Sequence, residues 1–323
     1  DVAALIIEYR LPREAIERTD TKWLAEAVVW EALLPHMSLE AMVRQLGVMT
    51  ARGLVAPLSN AAAHVVAELG NAERITRSRL HPLRVLTALL QYQSGASRGA
   101  VKRGEALTWE PVAQVLDALD GAFYAAFGNV TPTGKRLMLA LDVSGSMASG
   151  AVAGVSGLTP RVASAALALV TAAIEPNHLL TAFAAGKSRS MHRGYDTGIA
   201  LLPISPRQRL ADAIRVVSTI PFGGTDCALP MIYAAEQNLL VDCFVVLTDS
   251  ETWAGNIHPA QALRQYRTQS GIPAKCVIVG MVSNGFTLAD PDDAGMLDVV
   301  GFDTTTLQLL SEFAADEPTL GTR

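Results

Sequence analysis

Two short apolar runs, each ending in an aspartate, most strongly limit the fold of this chain. Leu137–Leu141 leads into Asp142, and Cys243–Leu247 leads into Thr248 and Asp249. Continuous apolar runs of this length are typical of strands that are buried on both faces. Helix-like segments lie between them, so the pattern predicts an α/β, doubly wound parallel sheet. Both aspartates then lie at the carboxyl edge of that sheet, where such folds bind ligands.

The rest of the chain after Gly134 continues this alternation. Further strands are predicted at His178–Phe183 and Ala274–Val282. Helices are predicted near Arg161–Ile174, Arg207–Thr219, Leu229–Gln237, Pro259–Gln269 and Thr304–Phe313.

Residues 1–128 show helical periodicity only, which fits an α-solenoid or an irregular bundle. We expect one helix over Lys22–Leu34, one from a Ser38 cap to Gly47, one from an Asn60 cap to Gly70, and two with Pro82 and Pro111 in their first turns. The predicted boundary is Phe127–Pro132, which gives a helical domain over 1–128 and an α/β domain over 129–323.

Composition argues for a protein with a buried core that does not enter a membrane. Half of the residues are hydrophobic and the mean hydropathy is +0.27. The longest uncharged apolar stretch, Val162–Ile174, has only 13 residues, whereas a membrane span needs about 20. The three cysteines form no CxxC pair, a pattern that predicts a reducing compartment, the cytoplasm. Because the chain begins with Asp1, we expect a processed chain or an excised fragment.

The overall charge does not indicate a nucleic-acid binder, but one window of the helical part is basic. The chain has 26 basic and 31 acidic residues, a net charge of −5. The window Asn71–Arg103 has Glu73 as its sole acid and seven cations, namely Arg74, Arg77, Arg79, Arg84, Arg98, Lys102 and Arg103. Such a cluster is either a solvated helix face or a set of phosphate contacts.

Oxygen-bearing side chains follow the predicted strand ends in an order that suits a small hard cation. Asp142, Ser144 and Ser146 alternate on one loop, Thr225 follows a Gly-Gly turn, and Asp249 ends the second apolar run. Mg²⁺ prefers oxygen ligands in a near-octahedral shell. These residues therefore predict a divalent-cation site, most simply for Mg²⁺; the alternative is a Ser/Gly turn with a capping aspartate.

No catalytic arrangement is evident. Ser144 occupies the place where an aspartyl-nucleophile enzyme needs a second aspartate, and Gly128–Arg136 lacks P-loop spacing. Gly154–Gly157 does not form a nucleophile elbow. We therefore predict a protein that is not an enzyme.

The order Asp-x-Ser-x-Ser, then Thr, then Asp resembles the metal-ion-dependent adhesion site (MIDAS) of von Willebrand factor A domains. The resemblance implies that Ser144, Ser146 and Thr225 contact the metal, while Asp142 and Asp249 act directly or through water. It also implies one open coordination position for an acidic group of a partner.

Longer strings resemble the Ro autoantigen, or TROVE-domain, family, with loops closer to its bacterial members than to vertebrate ones. These strings are Ile6–Glu14, Val29–Leu34, Leu46–Thr50, His81–Pro82, Trp109–Pro111, Ala122–Tyr124, Pro132–Arg136, Gly223–Met231, Thr248–Gly255, Ser283–Asp293 and Gly301–Asp303.

The resemblance implies a ring of HEAT-like helical repeats closed by a von Willebrand factor A domain. It implies binding of Y RNA outside the ring, capture of the 3′ ends of misfolded noncoding RNAs inside it, and tethering to a 3′ exoribonuclease. Family members carry a long further stretch of repeats before the position of Asp1, where we expect most Y RNA contacts. Two hypotheses follow: a non-catalytic RNA-binding scaffold, or an adhesion-type protein-interaction module that acts through the metal.

Overall fold

The computed structural model describes residues 2–97, 107–184, 198–220, 223–249, 255–282 and 287–316. The chain divides into two compact units. One comprises Asp1–Val130 with Gly154–Ser156, and the other comprises Thr131–Ala153 with Gly157–Arg323. Within the described ranges, no helix is both long and apolar enough to cross a membrane.

The first unit is helical, as the periodicity predicts. Its described α-helices are α1 Val2–Tyr9, α2 Arg13–Thr19, α3 Ala27–Leu33, α4 Leu39–Ala51, α5 Asn60–Leu69, α6 Ala72–Ser78, α7 Pro82–Gln93 and α8 Ala113–Ala125. Short 3-10 turns occupy Thr21–Ala25, Leu34–His36 and Ala126–Asn129. An isolated bridge joins Ala96 and Thr108.

The cap predicted at Ser38 is confirmed, but the predicted end of that helix at Gly47 is wrong. Ser38 Oγ accepts a hydrogen bond from Ala41 N at 3.2 Å, and α4 continues to Ala51. Gly47 lies against the ring of Trp109, where an added Cβ would be 2.5 Å from a ring carbon. Glycine at this position therefore provides space for an indole ring and does not end the helix.

Three further helix limits differ from the prediction for local reasons. The segment Lys22–Leu34 is not one helix, because Glu26 is extended (φ −95°, ψ 128°) between a 3-10 turn and α3. Ser59, rather than Asn60, caps α5 by accepting a hydrogen bond from Ala62 N at 3.0 Å. Pro111 precedes its helix instead of opening it, because Val112 is the extended residue before α8.

Tyr92 links three parts of the helical unit. Its hydroxyl group lies 3.0 Å from Thr50 Oγ1 and accepts a hydrogen bond from Val112 N at 3.2 Å. Its ring stacks on Trp109 at a centroid distance of 6.2 Å, and the indole N–H of Trp109 donates to the Tyr92 carbonyl at 2.9 Å. The buried hydroxyl is thus paired, as a buried polar group must be to avoid a desolvation cost.

The second unit contains the predicted sheet, with one difference. Its described strands are β1 Leu137–Asp142, β2 His178–Phe183, β3 Ile199–Leu201, β4 Cys243–Thr248, β5 Lys275–Gly280 and β6 Met296–Val300, in the order β3-β2-β1-β4-β5-β6. All neighbouring pairs are parallel except β2–β3, which is antiparallel. The predicted doubly wound parallel sheet is confirmed for four of the five described strand pairs. The antiparallel edge was not predicted, because the three-residue β3 gives too short an apolar signal. The sequence pattern also did not predict β6.

Helices accompany the sheet where the alternation predicts them. They are α9 Pro160–Ile174, α10 Leu210–Ser218, α11 Leu229–Glu236, α12 Pro259–Ser270 and α13 Thr304–Ala315. The buried Lys275 of β5 holds the end of α13, because its ammonium donates to the carbonyls of Phe313 and Asp316 at 2.7 and 2.8 Å. A cation at a helix C-terminus also interacts favourably with the helix dipole.

His81 makes the stability of the helical unit dependent on pH. Its Nδ1 accepts a hydrogen bond from Leu83 N at 3.2 Å and caps α7. Burial, and then the charge of Arg84, lower the pKa of His81 from 6.5 to about 4. Because the unfolded chain binds this proton more readily, the free energy of unfolding should fall as pH decreases from about 6.5 towards 4.

We expect this loss to be about 1–2 kcal/mol after allowance for solvent screening. The measurement is urea unfolding at a series of pH values. The variant His81→Asn keeps an acceptor for the cap and should lose that part of the pH dependence. Identical pH profiles for the two proteins would contradict this explanation.

Candidate functional site

The metal-site residues predicted at the two aspartate-ended runs are brought together at the centre of the sheet. Asp142 is the last residue of β1, and Thr248 is the last residue of the neighbouring β4. The strands pair in parallel, with Leu141 opposite Leu247. The chain passes from β1 to β2 on one side, while β4 lies on the other side. This is a topological switch point, where α/β sheets leave a crevice at the carboxyl ends of the strands.

The carboxylate of Asp142 is the centre of the cluster. Its side chain is buried, and it accepts hydrogen bonds from Ser144 N at 2.7 Å, from Thr248 Oγ1 at 2.8 Å and from Thr225 Oγ1 at 3.2 Å. Thr225 lies just before α11 and belongs to a distant part of the sequence. The fold therefore places three of the predicted ligand residues, Asp142, Ser144 and Thr225, around one point.

The spacing of the oxygen atoms suits a small divalent cation. Ser144 Oγ and Ser146 Oγ are 3.1 Å apart, and Thr225 Oγ1 is 3.2 Å from Asp142 Oδ2. Neighbouring ligands of an octahedral Mg²⁺ with bonds of about 2.1 Å are separated by about 3.0 Å. Ser144 is buried, whereas Ser146 is exposed to solvent. The residues present therefore fit a Mg²⁺-class ion that is reachable from solvent on one side.

Electrostatics also favour a cation at this point. Burial raises the pKa of Asp142, the hydrogen bonds from Ser144 and Thr248 oppose that rise, and the negative charge of Asp249 adds to it. Asp249 is itself buried. Two carboxylates of like charge in a poorly solvated crevice destabilise each other when both are ionised. A bound divalent cation would remove that repulsion.

Hydroxyl groups make up three of the five candidate metal ligands, Ser144, Ser146 and Thr225. In the part of the chain that the structure describes, no group of three or more His, Cys, Asp or Glu side chains is arranged to hold an ion. Cys227, Cys243 and Cys276 are buried free thiols. Burial raises the pKa of Cys243 to about 12, so this thiol stays protonated and is a poor metal ligand.

Sequence reasoning missed three residues that shape the site. Thr248 donates to Asp142, and its position at a strand end beside Asp249 could have indicated this. Arg161 Nη2 donates to the Ser144 carbonyl at 3.2 Å. Asp226 accepts a hydrogen bond from Ala228 N at 3.0 Å, and burial raises the pKa of its carboxyl group. No sequence signal marks Arg161, because a contact made by a long side chain depends on the fold. The local bond of Asp226 is a common turn contact, and its burial depends on the fold.

The basic window is not a uniform set of available cations. Arg74 forms an ion pair with Glu68 and donates to the Met37 carbonyl at 3.1 Å, so it supports the packing of the helices. Arg84 pairs with Glu40 at 3.1 Å. Arg77 and Arg79 are exposed. The three remaining candidates lie outside the described residues; they are Arg98, Lys102 and Arg103.

Comparison with known proteins agrees with this architecture. Residues 136–314 match the family model of the Ro60 vWA domain, which covers just over half of the chain. Residues 10–94 match the model of the TROVE domain.

Relatives and a solved structure show the same similarity. The chain is 42% identical over 316 residues to the RNA-binding protein RO60 of Deinococcus radiodurans and 38% identical over 316 residues to that of Caenorhabditis elegans. It covers 56% and 45% of those proteins, so it spans about half the length of the curated relatives that it matches. The crystal structure of the Deinococcus radiodurans RO (RSR) protein matches with a TM-score of 0.85, over 97% of this chain and 59% of that one.

If the cluster around Asp142 holds Mg²⁺, the ion should stabilise the folded chain. An ion that binds only the folded state adds about 2.7 kcal/mol at a hundredfold excess over its Kd. Millimolar Mg²⁺ should therefore raise Tm relative to EDTA, as measured by differential scanning fluorimetry. Ser144→Ala should remove most of this rise.

Ser149→Ala is the matched control for this prediction. Ser149 belongs to the same loop, but its hydroxyl donates to the Ser146 carbonyl and is not among the converging oxygens. The control should keep the full response to Mg²⁺. Equal Tm values in Mg²⁺ and EDTA for the unmodified chain would count against the site.

Proposed function

Because the chain belongs to the Ro60 vWA-domain family, we propose that it is a non-catalytic RNA-binding scaffold of a Ro-type ribonucleoprotein. The similarity over nearly the whole chain to two proteins named as RNA-binding is the observation that carries this proposal. The buried free thiols support a reducing compartment, the cytoplasm, as its place of action.

We propose Y RNA and the 3′ ends of misfolded noncoding RNAs as the RNA ligands, and RNA quality control as the role. Within the basic window, exposed Arg77 and Arg79 are the cations best placed to contact phosphates. Arginines of this kind bind the RNA backbone without reading its sequence, which suits a protein that accepts many different RNAs. A 3′ exoribonuclease is the partner that would act on the captured ends.

The second candidate function is a metal-dependent, adhesion-type interaction module. The convergence of Asp142, Ser144 and Thr225 at the switch point favours it, together with the solvent exposure of Ser146. A carboxylate from a partner would complete the coordination of the ion at this exposed side. Both functions can coexist, because one uses cationic side chains of the first unit and the other uses a cation bound by the second.

The RNA hypothesis predicts a strong dependence of affinity on salt. Each phosphate contact contributes about 0.7 to the slope of log K against log[salt] for single strands. Arg77→Ala combined with Arg79→Gly should therefore weaken binding of a structured RNA with a 3′ tail and lower the slope by about 1.4. Arg215→Ala, an exposed arginine of the second unit, is the control. Unchanged affinity and slope in the double variant would exclude both arginines as RNA contacts.

The two functions should be separable by mutation. Asp142→Ala removes the central carboxylate, so it should abolish the calorimetric signal of Mg²⁺ binding and any EDTA-sensitive binding of an immobilised acidic peptide. RNA affinity, measured by filter binding, should change less than about twofold, because no phosphate contact is lost. Loss of RNA binding in this variant would show that our assignment of roles to the two units is wrong.

A further inference from the structure

The helical unit has a polar cavity that the basic window does not include. Its volume is about 410 Å³, and it lies among the α1–α2 connection, the 3-10 turn Leu34–His36 and the first half of α4. The charged and polar side chains that matter are Arg10, Arg13, His36 and Arg44, with Glu14 and Glu40 as the acids.

The acids of this cavity have cationic partners, whereas two of its arginines have no carboxylate. Glu40 pairs with Arg84 at 3.1 Å, and Arg13 lies 3.7 Å from Glu14. Within the described part of the chain, Arg10 and Arg44 form no ion pair, and both are exposed. The cavity therefore has an uncompensated positive charge.

The first turn of α4 adds to this positive potential. Ser38, the N-cap of α4, lines the cavity. The backbone N–H groups at the start of a helix carry a partial positive charge and favour anions. Guanidinium groups and a helix start that meet at one cavity are complementary to a phosphate group.

The backbone at Arg10 is in a left-handed conformation at the end of α1. Arg10 has φ 50°, in the left-handed region, and Leu11 N donates to the Ile6 carbonyl at 3.2 Å across it. This is the helix ending in which glycine is usual. A residue with a Cβ costs about 1–2 kcal/mol in that conformation. A glycine at this position would therefore be tolerated by the backbone, which makes Arg10→Gly a useful variant.

We infer that this cavity binds a backbone phosphate of single-stranded RNA, through Arg10 and Arg44 with a hydrogen bond from His36. The inference rests on the proposed RNA binding and adds a specific contact site to it. The cavity has room for about one nucleotide unit and is too small for a duplex. Among the described residues that line it, none is a Phe, Tyr or Trp on which a base could stack, so the contact is independent of base identity.

The test uses Arg10→Gly in the full chain, because this change separates folding from binding. Glycine relieves the backbone strain, so Tm should stay equal or rise. RNA affinity should nevertheless fall, about three- to tenfold, and the salt slope by about 0.7. Adding Arg44→Ala, a change at an exposed position of α4, should lower the slope by about 1.4 in total.

Two control variants match the two effects of Arg10→Gly. Leu58→Gly relieves a left-handed residue (φ 64°) that is 92% exposed, without removing a charge. Arg18→Ala removes an exposed cation of the same unit that does not line the cavity. Both should bind a single-stranded RNA of fixed sequence as the unmodified chain does.

Each result of filter binding at several salt concentrations bears on the inference. Weaker binding and a lower slope in the Arg10 and Arg44 variants alone support it. If the unmodified chain binds RNA and the variants bind equally well, the cavity assignment is overturned while the proposed function stands. If the unmodified chain binds no RNA, both are overturned.

A parallel arm separates RNA from small phosphorylated molecules. Inorganic phosphate and adenosine monophosphate are added to the unmodified chain and to Arg10→Gly, and Tm is measured. If either compound raises Tm at micromolar concentration only when Arg10 is present, and the variants bind RNA normally, the cavity binds a small phosphorylated ligand. The assignment to an RNA phosphate would then be overturned. If both compounds compete with RNA only at millimolar concentration, the result supports an RNA backbone phosphate as the ligand of the cavity.

Discussion

A buried carboxylate at the end of the first strand is the constraint on which the second unit depends. Asp142 is fully buried, and burial raises its pKa. An ionised carboxylate can be kept there only if donors surround it. Ser144 supplies a backbone N–H, and Thr225 and Thr248 supply hydroxyl groups. The loop after β1, the end of β4 and the start of α11 are therefore held together by one side chain.

The hydrogen bonds to Asp142 favour its ionised form but do not neutralise its negative charge. The site therefore favours a cation. The nearby negative charge of Asp249 makes ionisation of Asp142 still less favourable. Hydroxyl groups can donate to a carboxylate and can equally present lone pairs to a cation. The hydroxyl groups that donate to Asp142 therefore also have the chemistry of cation ligands.

The helical unit is constrained differently, because its many short helices have many ends whose backbone N–H and C=O groups need hydrogen-bond partners. Ser38, Ser59 and His81 satisfy the first N–H groups of three helices through their side chains. At other ends the chain turns through left-handed residues, and Arg10 and Arg79 both occupy such positions. Both arginines are exposed at helix ends. The backbone conformation at each position, and not packing in the core, sets the direction in which the side chain leaves the helix. A surface of this kind can offer cations to an extended polyanion at several separate points.

The sequence by itself determined the two kinds of architecture and the identity of the candidate metal ligands. Buried strands and amphipathic helices differ in period, so the change after Gly134 is visible without coordinates. The tertiary structure decided the contacts between residues that are far apart in sequence. Thr248 and Arg161 both contact the loop that follows β1. Arg74 supports the packing of the helices and is not a free cation. It also decided that Gly47 accommodates Trp109, and that Arg10 shares a cavity with Arg44. Periodicity reports which face of an element is buried, whereas contacts between long side chains and ring-sized gaps depend on how elements meet in space.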